Sequence, residues 1–223
     1  MRAAASIRNA APATVVVYVH GLWFTGREAL WLRRRLAKQL AAETCAFSYR
    51  SLTATMAETA GRLRAYVAQL EAETVHLVGH SLGGLVILKL FETPPRIAPG
   101  RIVLLGSPTN GCRTAEIVAR LPGGRKILGP CVEEEVLRRR AHRWAGERDL
   151  GIIAGDVSLG LGRLVGRPDG PNDGTVLVAE TVLAGATDHR ILRVSHSCML
   201  FNREVAEQTA AFLRDGRFAQ RES

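Results

Sequence analysis

The sequence predicts an α/β fold, a single domain built on a mostly parallel sheet of about six strands with helices on both faces. Three observations predict it. Short, β-branched apolar runs alternate along the chain with longer segments of helical periodicity, as they do when a parallel sheet is covered on both sides. The 223 residues are 47% hydrophobic and 23% charged, which suits one core in one domain. No apolar run reaches the roughly 18 residues that a membrane-crossing helix needs.

The elements follow in order. Residues 1–13 are expected to form a flexible N-terminal extension and residues 14–223 the folded domain. Thr14–Val19, almost entirely β-branched, is the first strand. It is too short for the apolar core of a signal peptide and leads straight into His20-Gly21. A helix is expected from about Thr25, where Thr25 and Glu28 have capping-box spacing and Ala29, Leu32, Leu36 and Leu40 share a face. Cys45–Tyr49 is a short second strand. Met56, Ala60, Leu63, Val67 and Leu70 then recur with helical spacing.

Thr74–Val78 is the third strand, and it runs without a break into Gly79-His80-Ser81-Leu82-Gly83-Gly84 and an apolar helix, Leu85–Phe91, that Pro94-Pro95 stops. Arg101–Leu105 is the fourth strand. Residues 107–148 are expected to insert a small helical cap, with helices around Thr114–Leu121 and Val132–Trp144 separated by Pro122-Gly123-Gly124. Leu150–Ala154 is the fifth strand and Ile191–Val194 the sixth. Arg203–Arg214 closes the chain as a helix, with Gly216 just past its end.

The formal charge of +9 comes mostly from arginines spread along the chain. The densest runs, Arg33-Arg34-Arg35 and Arg138-Arg139-Arg140, fall in helical patterns and read as solvated faces. No nucleic-acid partner is expected, and at most a weak attraction to an anionic membrane surface. Cys45, Cys112, Cys131 and Cys198 are scattered, without metal-ligand spacing, and read as free thiols. A Cys112–Cys131 bridge would require an exported chain. Neither metal nor cofactor is expected, and the chain reads as cytoplasmic.

Ser81 sits at the centre of Gly-x-Ser-x-Gly, at the joint between a buried strand and an apolar helix. That setting forces a sharp turn, raises the hydroxyl above the sheet and points a helix N-terminus at any negative charge developing there. Serine at its free pKa is a poor nucleophile and needs a base. In an open parallel sheet the site lies beyond the carboxyl ends of the strands. His76 falls within a strand, His142 in a helix and His189 ahead of its strand. His80 should point away from the hydroxyl, and His20 packs beneath the site. His196, directly after the last strand, is the expected base. An Asp or Glu beyond the fifth strand should orient it. Asp156, Asp169 and Asp173 all fall there; Asp173 is preferred and Asp156 is the alternative acid. The backbone N–H groups of Leu22 and Leu82 are the expected oxyanion donors.

With these residues in place, His20-Gly21, the Gly79–Gly84 motif, Gly106-Ser107-Pro108, Asn172-Asp173-Gly174-Thr175-Val176 and Ser195-His196-Ser197 together resemble the lipase and esterase branch of the α/β hydrolases. The similarity is closest to small bacterial lipases and to the deacylase domain acting on lipid-anchor inositol, and it runs from about Thr14 to Leu213. It implies an α/β-hydrolase fold, hydrolysis of small-molecule or lipid carboxylic esters through an acyl-enzyme, and no cofactor. The same residues could serve an acyltransferase or a thioesterase. The cap is shorter than in larger lipases.

Overall fold

The computed structural model describes residues 13–93, 95–137, 142–159 and 169–220. All but the last residue of the expected N-terminal extension, and the Arg138–Arg140 run, lie outside them. Among these residues, six strands form one sheet: β1 Thr14–Val19, β2 Glu43–Phe47, β3 Thr74–His80, β4 Ile102–Leu105, β5 Leu150–Gly155 and β6 Asp188–Leu192. Their order is β2-β1-β3-β4-β5-β6, and every neighbouring pair is parallel. The chain winds from β1 outward to β2, then returns to lay β3 on the other side of β1. The order therefore reverses between β1 and β3, and such a reversal opens a crevice at the carboxyl ends of the strands.

Alternate strand residues feed two cores. Val15, Val17, Val19, Leu77, Ile102, Leu104 and Ile152 face one side, where they meet α2 (Met56–Val67), α3 (Leu82–Phe91) and α5 (Gly124–Val132). Val16, Tyr18, Val78, Val103, Leu105 and Ile153 face the other, against α1 (Leu30–Leu40) and α6 (Arg203–Asp215). Burial on both faces explains why β1, β4 and β5 read as nearly unbroken apolar runs, and why β3 is apolar apart from its histidines. No described helix is long and apolar enough to cross a membrane.

Several boundaries differ from expectation. The Glu28 carboxylate does reach back to the N–H groups of Thr25 and Gly26, but it closes a turn, and α1 starts only at Leu30. A full capping box stands instead at Thr55 and Glu58, opening α2. In the expected cap, α4 (Arg113–Arg120) lies where a helix was expected. The second helix starts much earlier, at Gly124. It is kinked at Gly129-Pro130, where Gly129 has φ 75°, and passes into a π-turn at Glu133–Leu137. His142 is not helical. The sixth strand lies several residues upstream of the expected one and includes His189, because an edge strand takes its register from pairing with β5 and not from its own hydrophobicity.

Candidate active site

The turn from β3 into α3 puts Ser81 at φ 53°, ψ −123°, a conformation that costs a non-glycine residue on the order of 1–3 kcal/mol and persists only where its surroundings enforce it. They do so here by close packing. A Cβ at Gly79 would fall 2.6 Å from the Gly84 Cα, and one at Gly83 would overlap the carbonyl of Val19. The Ser81 N–H is fixed to the Leu105 carbonyl at 2.8 Å. Leu82 opens α3, so its N–H lies in the first turn, where no intrahelical acceptor exists.

His196 follows β6, and its Nδ1 meets Asp173 Oδ2 at 2.6 Å. The other carboxylate oxygen, Oδ1, accepts the N–H groups of Thr175 and Val176 at 2.9 and 2.7 Å. Asp173 is 1% exposed. The loop that carries it returns to the carboxyl end of β5, where Gly155 leaves room: a Cβ there would stand 2.9 Å from the Asp173 Cβ. Asp156, next along, makes no hydrogen bond to His196; its N–H goes to the Leu192 carbonyl. Asp169 is exposed.

Two further histidines brace this arrangement. His80 is fully buried, with its Nε2 3.1 Å from the His196 carbonyl and its ring 4.8 Å from the His196 ring. A carbonyl only accepts, so Nε2 carries the proton. Burial, helped by the neighbouring His196, pushes the His80 pKa down to about 3, which keeps the ring neutral. His20 stacks on Tyr49 with centroids 4.2 Å apart. Its Nε2 accepts the Tyr49 N–H at 3.1 Å, so Nδ1 is the protonated nitrogen and donates to the Gly21 carbonyl at 2.7 Å. The Tyr49 hydroxyl donates to the His20 carbonyl at 3.0 Å. These bonds pin the loop that presents Leu22. Farther round, the Glu180 carboxylate accepts the N–H groups of Leu177 (2.8 Å) and Arg113 (2.6 Å), tying the aspartate loop to the start of α4. Tyr49 and Glu180 lie in no motif that sequence reading could use. His80 does lie in one, but its link to the His196 carbonyl spans 116 residues.

A cavity of about 340 Å³ opens over the serine. Ser81, His196, Leu22, Leu82, Trp23 and Phe24 line its near end. Ala115, Val118 and Leu121 of the α4 segment, Leu128 and Val132 of α5, and Val136 also line it, together with Thr175 and Val176 of the aspartate loop. The expected cap segment thus supplies about half of the wall. Met199 and Leu200 do not line it: the 3-10 turn Ser197–Phe201 folds under, and both side chains are buried against the α1 and α6 side. A larger groove of about 820 Å³, containing His76, Arg101 and Arg148, lies at the amino ends of the strands, away from Ser81. Among the described residues no three His, Cys, Asp or Glu side chains gather as metal ligands would. All four cysteines are free thiols; Cys112 and Cys131 are buried and bonded separately, to the carbonyls of Thr175 and Ala54.

Residues 16–218 match the family model described as "Alpha/beta hydrolase family". Among solved structures, the lipase BlEst2 of Bacillus licheniformis in its mature form superposes with a TM-score of 0.70 at 18% identity, over 86% of this chain and 87% of that one. A metagenomic carboxyl esterase, MGS0156, gives 0.63 at 19%, over 82% of this chain but only 64% of that one. The thioesterase domain of NocB from the nocardicin cluster gives 0.50 at 20%, over 92% and 93%. At such identities the likeness is one of fold. No curated protein matches.

Proposed function

The chain belongs to the alpha/beta hydrolase family, and on that footing we propose that it is a serine hydrolase that cleaves carboxylic esters through an acyl-enzyme. The observation that carries the reading is the 2.6 Å contact of His196 with a buried Asp173, with His196 and the strained Ser81 lining one apolar cavity. A fold alone hosts many activities, so the site must carry the argument.

In the proposed reaction His196 Nε2 takes the proton of Ser81 Oγ as the oxygen attacks the ester carbonyl. Asp173 holds the ring with its proton on Nδ1 and stabilises the imidazolium that forms. The N–H groups of Leu22 and Leu82 receive the oxyanion. Collapse returns the proton to the leaving alcohol, and a water activated by His196 then releases the acid. The carboxylate acts as an anchor and is not itself protonated. No cofactor takes part.

Residues 113–137 serve in this reading as a small cap whose inner face receives the acyl chain. The apolar lining of that face suits the hydrocarbon of an acyl chain. The solved relatives described as lipase and carboxyl esterase support an ester substrate, and the thioesterase domain makes a thioester the second reading. The free thiols suit a reducing compartment. The test is labelling with a fluorophosphonate probe, followed by rates on matched esters and thioesters from acetyl to palmitoyl. Labelling confined to Ser81, with ester turnover above that of the matched thioesters, supports the reading. Labelling that survives Ser81→Ala defeats it, and faster thioester turnover transfers the site to the second reading.

A further inference from the structure

The mouth of the cavity is apolar on its outer surface as well as within. Trp23 and Leu121 both line the cavity and are 48% and 49% exposed. Ile127 (52%) and Leu52 (43%) continue the same surface. Three segments are joined here. The Trp23 indole N–H donates to the Ile127 carbonyl at 3.0 Å, and its backbone N–H donates to Ser51 Oγ at 3.1 Å. Gly129 lies so close to Leu52 that a Cβ would stand 2.9 Å from the Leu52 Cα.

Cations frame this patch. Arg50, Arg120, Arg125 and Lys126 are all exposed. Arg125 pairs with Glu133 at 2.6 Å, and Glu116 is half-buried on α4. Residues 120–127 of this rim carry Arg120, Arg125 and Lys126 and no acidic residue. The turn between α4 and α5 presents them together, as Arg120-Leu121-Pro122-Gly123 followed by Arg125-Lys126-Ile127.

We propose that this face docks on an anionic lipid surface. Trp23, Leu52, Leu121 and Ile127 enter the headgroup layer, while Arg50, Arg120 and Lys126 meet the lipid phosphates. Exposed apolar groups rimmed by cations are the arrangement that such surfaces retain, with tryptophan favoured at the headgroup level. Its position around the mouth favours lipid over a soluble acidic partner: the apolar path into the cavity continues directly from the patch, so an acyl chain could pass from the layer to Ser81 without crossing water. That last step rests on the hydrolase reading; the docking does not.

The test uses the intact chain with vesicles of phosphatidylcholine alone and of phosphatidylcholine mixed with phosphatidylglycerol. Sedimentation with the anionic vesicles, little with the neutral ones, and release at about 0.5 M salt are expected. Fluorescence of Trp23, read in a Trp31→Phe background where the remaining Trp144 is buried, should shift to the blue on binding. Combining Arg120→Glu with Lys126→Glu should lower the bound fraction by about fivefold or more. Ile127→Ser should shrink the blue shift. Arg34→Glu, exposed on α1 across the sheet, should leave binding nearly unchanged and serves as the net-charge control. Equal binding to neutral vesicles, no binding to either, an Arg34→Glu effect as large as that of the rim, or an unaffected rim variant each overturns the proposal. Fluorophosphonate labelling of the same samples separates the two readings: vesicle binding without labelling leaves the surface standing and removes the hydrolase.

Discussion

Asp173 grips His196 at two points: its carboxylate meets the ring Nδ1 at 2.6 Å, and its backbone carbonyl accepts the His196 N–H at 2.8 Å. The ring and the main chain of the histidine are thus registered to the same residue. The carboxylate is held in turn by the Thr175 and Val176 N–H groups, and so has little freedom to follow a displaced ring.

This double hold separates the two candidate acids. Asp173→Asn preserves the backbone contact but can present its amide N–H₂ to Nδ1, leaving the ring in the wrong tautomer. Turnover should fall on the order of 10⁴-fold with the fold intact. Asp156→Asn, whose side chain does not reach His196, should lose about tenfold at most, through loop position. Steady-state rates on a short chromogenic ester, with circular dichroism of both variants, check this. The reverse ranking would assign the acid to Asp156.

His80 is expected to act as a positioning residue, through the His196 carbonyl at 3.1 Å. His80→Ala removes the donor and opens a cavity, so kcat should drop about tenfold and stability by about 2–4 kcal/mol. KM should hold nearly constant, since His80 supplies no specific bond to substrate. His80→Gln, which keeps a donor of similar reach, should recover part of kcat. A loss of stability with kcat unchanged in the folded variant would reduce His80 to packing.

How much of this was legible in the chain depends on how local the cause is. Strands β1, β4 and β5 were readable because burial on both faces makes them almost uniformly apolar, and β3 because its apolar residues continue around His76. The start of α1 was misplaced because Glu28 uses its carboxylate on a turn five residues before the helix; Tyr18 also donates to it, at 3.2 Å. The α5 segment begins at Gly124, eight residues before the helix expected at Val132, and is carried across a kink at Gly129-Pro130 that periodicity does not follow. Ser81, Asp173 and His196 each stood out in a local motif. The His20–Tyr49 stack, the His80–His196 bond and the Glu180 clasp join distant segments through one or two hydrogen bonds each, and no periodicity records such links.

Glu180 offers a test of that clasp. Both of its carboxylate oxygens accept backbone N–H groups, one at the aspartate loop and one at the start of α4. Burial pushes its pKa up from the ordinary glutamate range. Glu180→Ala strands both donors and should cost about 2–4 kcal/mol. Glu180→Gln keeps one acceptor and avoids a buried charge, and should cost roughly half as much. Because the clasp joins the cavity wall to the Asp173 loop, the alanine variant should also raise KM more for a medium-chain ester than for acetate. Equal KM changes for both esters would show a role in stability alone.

The last prediction concerns acid. Burial drives the pKa of His76 down to about 4, with the Arg101 cation adding to it, and that of His80 down to about 3. Burial also lowers His20 and the half-buried His189. His76 Nδ1 accepts the Arg101 N–H at 2.9 Å, so protonating that nitrogen would break a backbone bond as well. An unfolded histidine titrates near 6.5. Below that pH the unfolded chain takes up protons that the native chain refuses, so stability must rise with pH across this window. The contribution is complete above about pH 6.5 and is lost as pH falls toward 3–4, at about 1.4 kcal/mol per pH unit for each fully refusing histidine. Glu180, an acid with a raised pKa, works in the opposite sense, because the native state holds its proton more tightly. One such group against four histidines leaves the sign unchanged. Between pH 7 and 5 the urea midpoint should therefore fall with the m-value unchanged, by an amount equivalent to a few kcal/mol. His76→Gln should flatten that slope by about one histidine's share. A midpoint that stays level or climbs as pH drops from 7 to 5 would mean that these rings are open to protons in the native state.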